Sequence, residues 1–170
     1  MNRKLLWVFA LFSPLVYANE PETTLVKVGD PVPAFSISTI DGNEISPEKL
    51  KGKVILLNFF ATWCGPCLAE LPHLESEVWQ KFKDRGLSLT VIGREHSSDE
   101  ITKFRAEKKL TMPFAADPKR EVYSKFATQY IPRNVVIGSD GKVKFESTGY
   151  NASEFAQMIK VIESELALVK

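Results

Sequence analysis

The sequence predicts one α/β domain built on a central mixed sheet covered by helices, and three observations lead there. Strand-like and helix-like patterns alternate along the chain, without internal repeats, low-complexity tracts or Gly/Ser linkers. One stretch, Val54-Ile55-Leu56-Leu57-Asn58-Phe59-Phe60, is apolar almost throughout instead of alternating, as expected of a strand buried on both faces. A chain of 170 residues, 44% of them hydrophobic, is also long enough to bury a core without disulfide staples.

Residues 1–18 read as a secretory signal. Arg3 and Lys4 precede a mostly apolar run over 5–17, and Val16-Tyr17-Ala18 suits a signal-peptidase site. The run is interrupted by Pro14 and falls short of the roughly 17 to 25 residues that span a bilayer, so no stable membrane insertion is expected after cleavage. An uncleaved anchor is the competing reading. The division expected is a signal over 1–18, a flexible polar lead-in over 19–27 and one domain over 28–170.

Within that domain, the alternating Phe35-Ser36-Ile37-Ser38 with Asp41-Gly42 behind it predicts an N-terminal hairpin. Ser46-Pro47 opens one short turn through Leu50. The buried strand at 54–60 follows. Leu68, Leu71, Leu74, Val78 and Phe82 then recur at helical spacing over 67–85, with Pro72 kinking the helix and Gly86 ending it. A second buried strand is expected at 87–92. Ser97-Ser98-Asp99-Glu100 is a capping box for a helix to about Lys109, and a short helix is expected over 120–126. Residues 134–137 and 143–146 flank Asp140-Gly141 as an antiparallel hairpin. Asn151 caps a last helix with Phe155, Met158, Ile159, Ile162 and Leu166 on one face, a stripe that reads as core packing.

Charge narrows the function. The whole chain carries a formal +1, and loss of Arg3 and Lys4 leaves about one net negative charge, so the basic stripe of a nucleic-acid footprint is absent. The chemistry falls to two cysteines, Cys64 and Cys67, at the junction between the buried strand and the long helix. A thiol at a helix N-terminus faces unpaired backbone N–H groups that favour its thiolate, so Cys64 is the expected nucleophile. Cys67, one turn into the helix, is placed to resolve it. Gly65 permits the tight turn, and Pro66 sits in the first helical turn, where its missing N–H costs nothing. Two readings compete. A stapling disulfide closing a ring of about four residues would stabilise by only roughly 2 kcal/mol, against about 3 for a fifteen-residue loop. Structural zinc takes four protein ligands, and the chain offers one cysteine pair with His73 and His96. No metal and no cofactor are expected.

Trp63-Cys64-Gly65-Pro66-Cys67 after an apolar strand resembles the thioredoxin superfamily active site. The signal, the N-terminal hairpin and an insertion between the 87–92 strand and Tyr130-Ile131-Pro132 are similar to the secreted TlpA/ResA-like thiol–disulfide oxidoreductases, over roughly Val28 to the C-terminus. Ile92-Gly93-Arg94-Glu95-His96 and the segment from Ala127 to Asn134 are similar to redoxins common in Bacteroidetes. The resemblance implies a thioredoxin-like fold with an N-terminal β-hairpin and an inserted helical segment before the cis-proline region. It also implies that Pro132 is the cis-proline beside the disulfide, and that the backbone of Ile131 pairs with a substrate chain. Trp63, Gly65, Pro66, Ile131 and Pro132 then form the substrate-binding surface. The family often has Thr after this proline. Arg133 stands there instead, which leads us to expect a more cationic substrate surface.

Asn58 occupies the position where cytoplasmic thioredoxins carry a buried Asp that takes the second cysteine's proton, a role Asn cannot fill. In ResA-like proteins a Glu from the segment after the next strand approaches the pair, and Glu95 is the position that aligns. A carboxylate partly buried there would have a raised pKa and could shuttle the Cys67 proton. A solvated charge beside Arg94 is the competing reading of Glu95, and His96 reads as a surface residue. Trp7 belongs to the signal, and Trp79 carries no functional argument.

The function expected is an extracytoplasmic, periplasmic reductase of protein disulfides, fed by a DsbD- or CcdA-like membrane electron donor, with apocytochrome c or general protein disulfides as clients. A peroxiredoxin is the rival enzyme, although Phe60-Ala61-Thr62-Trp63-Cys64 lacks the proline of the Pro-x-x-x-Thr/Ser-x-x-Cys setting. A redox-inactive binding module on the same fold is the rival outside enzymes.

Overall fold

The computed structural model describes residues 22–169, so the expected signal at 1–18 lies outside the described residues. Seven strands and a series of helical segments follow in order. They are β1 Ile37–Ser38, β2 Glu44–Ile45, β3 Val54–Phe60, α1 Gly65–His73, α2 Gln80–Phe82, β4 Leu87–Arg94, α3 Ser98–Glu107, β5 Phe114–Asp117, α4 Tyr123–Phe126, β6 Arg133–Ile137, β7 Val143–Thr148 and α5 Ala152–Leu168. β1 and β2 form the expected N-terminal hairpin, and the other five strands make one sheet in the order β5-β4-β3-β6-β7. β4 runs parallel to both β3 and β5, whereas β6 is antiparallel to both β3 and β7. The sheet is therefore mixed, and the fold is thioredoxin-like.

β3 is central and buried at every residue, which accounts for its unbroken apolar run. Its side chains alternate between two cores. Val54, Leu56 and Phe60 meet Leu71, Val91, Phe104, Met158 and Ile162, while Ile55, Leu57 and Phe59 meet Tyr123, Phe126, Val135 and the hairpin. Each such aliphatic or aromatic side chain contributes about 1.5–3 kcal/mol on full burial. Asn58 shares the parity of Leu56 and Phe60, so the one polar residue of the strand points into the first core, under α1.

The long helical run over 65–85 is not one regular helix. α1 contains Pro72, whose ring removes a backbone donor. The chain then passes through a π-helical turn at Leu74–Trp79, α2 and a 3₁₀ turn at Lys83–Arg85, and stops at Gly86 with φ 97°. At α3 both halves of the capping box form, and Asn151 Oδ1 accepts the Glu154 N–H at 2.9 Å to open α5. β5 was not among the expected elements: Ala115 and Ala116 fill half of it and lack strand propensity, so its identity comes from pairing with β4. α4 begins later than expected because the Asp117 carboxylate accepts the N–H groups of Val122 and Tyr123, at 3.1 and 2.8 Å.

The lead-in is tied down where it is described. Leu25 N–H donates to the Phe126 carbonyl at 2.9 Å, Thr128 N–H donates to that of Thr23 at 3.0 Å, and Val26 is buried. Arg133 explains the anchorage. Far from giving the surface cationic character, its side chain is fully buried, paired with Glu146 at 2.6 Å and donating to Thr24 Oγ1 at 2.8 Å and to the Gln129 carbonyl at 3.1 Å. Removing one partner of such a pair is costly, so Arg133→Met should lower unfolding stability by about 3 kcal/mol in a denaturant titration. A loss below about 1 kcal/mol would mean that solvent at Glu146 already offsets the pair.

Candidate active site

β3 carries the chain to the C-terminal end of the central strand, and residues 61–63 turn it into α1. Cys64 is the N-cap, in extended backbone, and its Sγ accepts the Cys67 N–H at 3.3 Å. The turn is fixed from two sides. Cys64 N–H donates to the Ala61 carbonyl at 3.1 Å, and Thr62 N–H donates to His96 Nε2 at 3.0 Å. Cys64 and Cys67 are joined in a disulfide. Cys64 keeps 6% exposure and Cys67 none, so an incoming sulfur can reach only the first. Gly65 is not in the left-handed region and opens α1 directly. A Cβ there would meet nothing within 4 Å, so neither a steric clash nor a left-handed backbone requires glycine at this position.

Across from the pair, the Ile131 carbonyl oxygen lies 3.7 Å from Cys64 Sγ, and the Ile131–Pro132 bond is cis. Pro132 is buried, Ile131 is half-buried, and Tyr130 is 61% exposed. Trp63, the residue before Cys64, is 65% exposed, with the Arg94 guanidinium 5.9 Å from its ring centroid. Of the residues expected to form the substrate surface, Ile131 lies against Cys64 through its carbonyl, and Trp63, Gly65 and Pro66 adjoin the pair in sequence.

Below the disulfide lies a buried polar cluster. Glu70 is one turn beyond Cys67 on the inward side of α1. Its carboxylate accepts from Asn58 Nδ2 at 2.9 Å and from Asn134 Nδ2 at 2.6 Å, and Asn58 Nδ2 also donates to Asn134 Oδ1 at 2.8 Å. Burial pushes the Glu70 carboxyl up to about 7, against the two amide hydrogen bonds and the His73 charge, which favour its ionised form. Asn58 thus takes no proton itself; it holds the group that can.

Of the two readings of Glu95, the structure shows the solvated charge beside Arg94 and not the partly buried carboxylate at the cysteines. Its side chain is 45% exposed, with the carboxylate 3.5 Å from Arg94 Nε and 3.9 Å from Arg120 Nη1, and its backbone has φ 64°. The left-handed turn after β4 sends it outward to the arginines, and the buried carboxylate expected at Glu95 is found at Glu70. A signal for Glu70 was available: positions 67, 70, 71, 74 and 78 share one helical face, and Glu70 is the charged residue on that otherwise apolar stripe. His96 also departs from the expectation, being buried and bonded to the active-site turn. Among the described residues, no group of three or more His, Cys, Asp or Glu could hold a metal, and no helix is long and apolar enough to cross a membrane.

Comparison with known proteins agrees with this architecture. The sequence profile of the Redoxin family matches residues 27–162. The chain is 30% identical over 151 residues to the thiol-disulfide oxidoreductase ResA of Geobacillus thermodenitrificans (strain NG80-2), covering 88% of this chain and 86% of that protein. ResA of Bacillus thuringiensis (strain Al Hakam) is 28% identical over 129 residues, 76% of this chain and 74% of that protein. The solution structure of a candidate protein disulfide isomerase from Bacteroides thetaiotaomicron superposes with a TM-score of 0.81 at 33% identity, covering 85% of this chain and 93% of that one. StoA from Bacillus subtilis, with a TM-score of 0.64 at 24% identity over 76% of this chain and 97% of that one, shares the fold. The chain belongs to the Redoxin family, and it is a thioredoxin-like thiol–disulfide oxidoreductase.

Proposed function

We propose that this oxidoreductase works outside the cytoplasm as a reductase of protein disulfides, in cytochrome c maturation or in general redox upkeep. The observation that carries the reading is the division of labour at the pair: a reachable Cys64 at a helix start, and a buried Cys67 with a carboxyl of raised pKa one turn away. In the reduced protein the Cys64 thiolate, favoured by the Cys67 N–H and the helix terminus, attacks a client disulfide. The client S–S bond breaks, one client sulfur leaves as a thiolate, and the other is joined to Cys64. Glu70 takes the Cys67 proton, the Cys67 thiolate attacks Cys64 Sγ, and the second client thiolate departs. Two electrons have passed to the client, and the enzyme disulfide remains. Trp63, Gly65, Pro66 and the backbone of Ile131 beside Pro132 form the surface on which the client chain lies. A DsbD- or CcdA-like membrane protein returns the electrons.

The direction of transfer rests on Gly65-Pro66, the dipeptide of reducing thioredoxins. A glutathione or dithiothreitol titration should place the Cys64–Cys67 couple nearer the roughly −270 mV of thioredoxin than the roughly −120 mV of a strong oxidant. The purified protein should also reduce insulin disulfides. A potential above about −150 mV would reverse the direction.

A further inference from the structure

Beside Trp63 the structure assembles a cationic group that the exchange chemistry does not use. The guanidinium carbons of Arg94 and Arg120 each lie 5.0 Å from the Tyr123 ring centroid. Arg94 also reaches the Trp63 ring. The cluster is tied to the proline loop, because Tyr123 Oη donates to the Tyr130 carbonyl at 2.8 Å and Arg120 Nη2 to that of Thr128 at 2.6 Å.

Two features set it apart from simple packing. The first is charge. Two guanidinium groups share the Glu95 carboxylate, at 3.5 Å from Arg94 Nε and 3.9 Å from Arg120 Nη1, both longer than a close ion pair. The Nε atoms of Arg94 and Arg120 are buried without a hydrogen-bond partner, while the two side chains keep 13% and 30% exposure. Two arginines thus face the one carboxylate within 4 Å of them, and because both Nε atoms are buried, the exposed part of each side chain lies elsewhere on it. The second is backbone strain. Four non-glycine residues among those described have left-handed backbones. Three of them, Glu95, Arg120 and Tyr130 (φ 64°, 58° and 66°), belong to this cluster, and the fourth, Lys109, follows the end of α3. Such conformations cost free energy and collect where a structure is organised for a ligand.

We propose that Arg94, backed by Arg120, is a carboxylate-binding subsite, and that the clients preferred here carry an aspartate or glutamate close to the reacting cysteine. This rests on the disulfide-reductase reading above and adds to it the class of client. A guanidinium presents paired donors that match a carboxylate, and two of them here face the single carboxylate of Glu95. The cationic surface expected at Arg133 arises instead from these two residues, through Trp63, the neighbour of Cys64.

The test uses two disulfide-linked peptides that differ only in Glu or Gln beside one cysteine, with 2-hydroxyethyl disulfide as a neutral reference. The wild-type protein should reduce the Glu peptide about five- to tenfold faster in kcat/KM, the range of one charge-assisted contact, and the ratio should shrink as salt is raised. Arg94→Gln should bring the ratio to about one, Arg120→Gln should lower it in part, and Arg94→Lys should give an intermediate value. A wild-type ratio near one, or a ratio unmoved by both glutamine variants, overturns the subsite. Should Arg94→Gln fail to fold, the wild-type ratio and its salt dependence still decide. A protein that reduces 2-hydroxyethyl disulfide without discriminating between the peptides loses only the subsite, whereas one inert towards all three substrates loses the reductase reading beneath it.

Discussion

Cys67→Ser protein, reduced and mixed with oxidised client proteins, should accumulate mixed disulfides through Cys64, and Cys64→Ser protein should accumulate none. The expectation follows from burial. Cys64 retains exposure at the start of α1 and Cys67 has none, so only Cys64 Sγ can meet a client sulfur, and only Cys67, beneath it, can release the client. With serine at 67 the reaction stops after its first exchange, because a hydroxyl cannot displace a thiolate from the mixed bond. With serine at 64 the first exchange never begins, and client reduction should fall to the rate of the uncatalysed thiol reaction. Non-reducing electrophoresis followed by mass analysis of the adducts reads the outcome directly. Equal trapping by the two variants would remove the assignment of roles. Both variants should match the stability of the reduced wild type, since they lose only the ring's roughly 2 kcal/mol relative to the oxidised protein.

How far the site was legible beforehand depended on whether a residue's role was written in local pattern. The strand Val54–Phe60, the capping box of Ser97 and Glu100, the Asn151 cap and the strand-to-helix position of Cys64 are local signals, and each stands where the pattern put it. What failed was settled by tertiary placement. β5 has too little intrinsic preference to announce itself, and its register with β4 makes it a strand. Arg133 and Glu95 are charged residues near a reactive pair, and charge alone does not say which way a side chain turns. β6 turns Arg133 into the core towards Glu146, while a left-handed residue after β4 turns Glu95 out to Arg94 and Arg120. Glu70 was hidden for the opposite reason. Its signal, a carboxylate on an apolar helical stripe, is visible, but its meaning appears only when β3 and β6 bring Asn58 and Asn134 against it.

That assembly makes Glu70→Gln the most informative single change below the sulfurs, because it separates stability from catalysis. In the oxidised protein neither cysteine titrates, so the residue can be examined alone. The folded state holds the Glu70 proton up to about pH 7, and the unfolded chain releases it near 4.5. Between those values the folded state binds more protons, so wild-type stability should fall as pH rises from about 4.5 to 7. The full cost, on the order of 3 kcal/mol, should then persist above pH 7. Gln does not titrate. Relative to wild type, Glu70→Gln should therefore gain stability across that window, read as a change in the difference between the two denaturant midpoints at pH 5 and pH 8. The catalytic effect has the opposite sign. A neutral amide cannot accept the Cys67 proton, so release of the client should slow by about 10²-fold or more, as when a positioned base is removed. Trapped intermediate would then build up as it does in Cys67→Ser, but decay over time. The wild-type rate of release should rise through pH 7 as Glu70 ionises, and that step should vanish in Glu70→Gln. A variant with the wild-type pH profile would show that the cluster of Asn58, Glu70 and Asn134 supports the helix without handling the proton. A flat stability difference between pH 5 and pH 8 would show that solvent reaches the carboxylate after all.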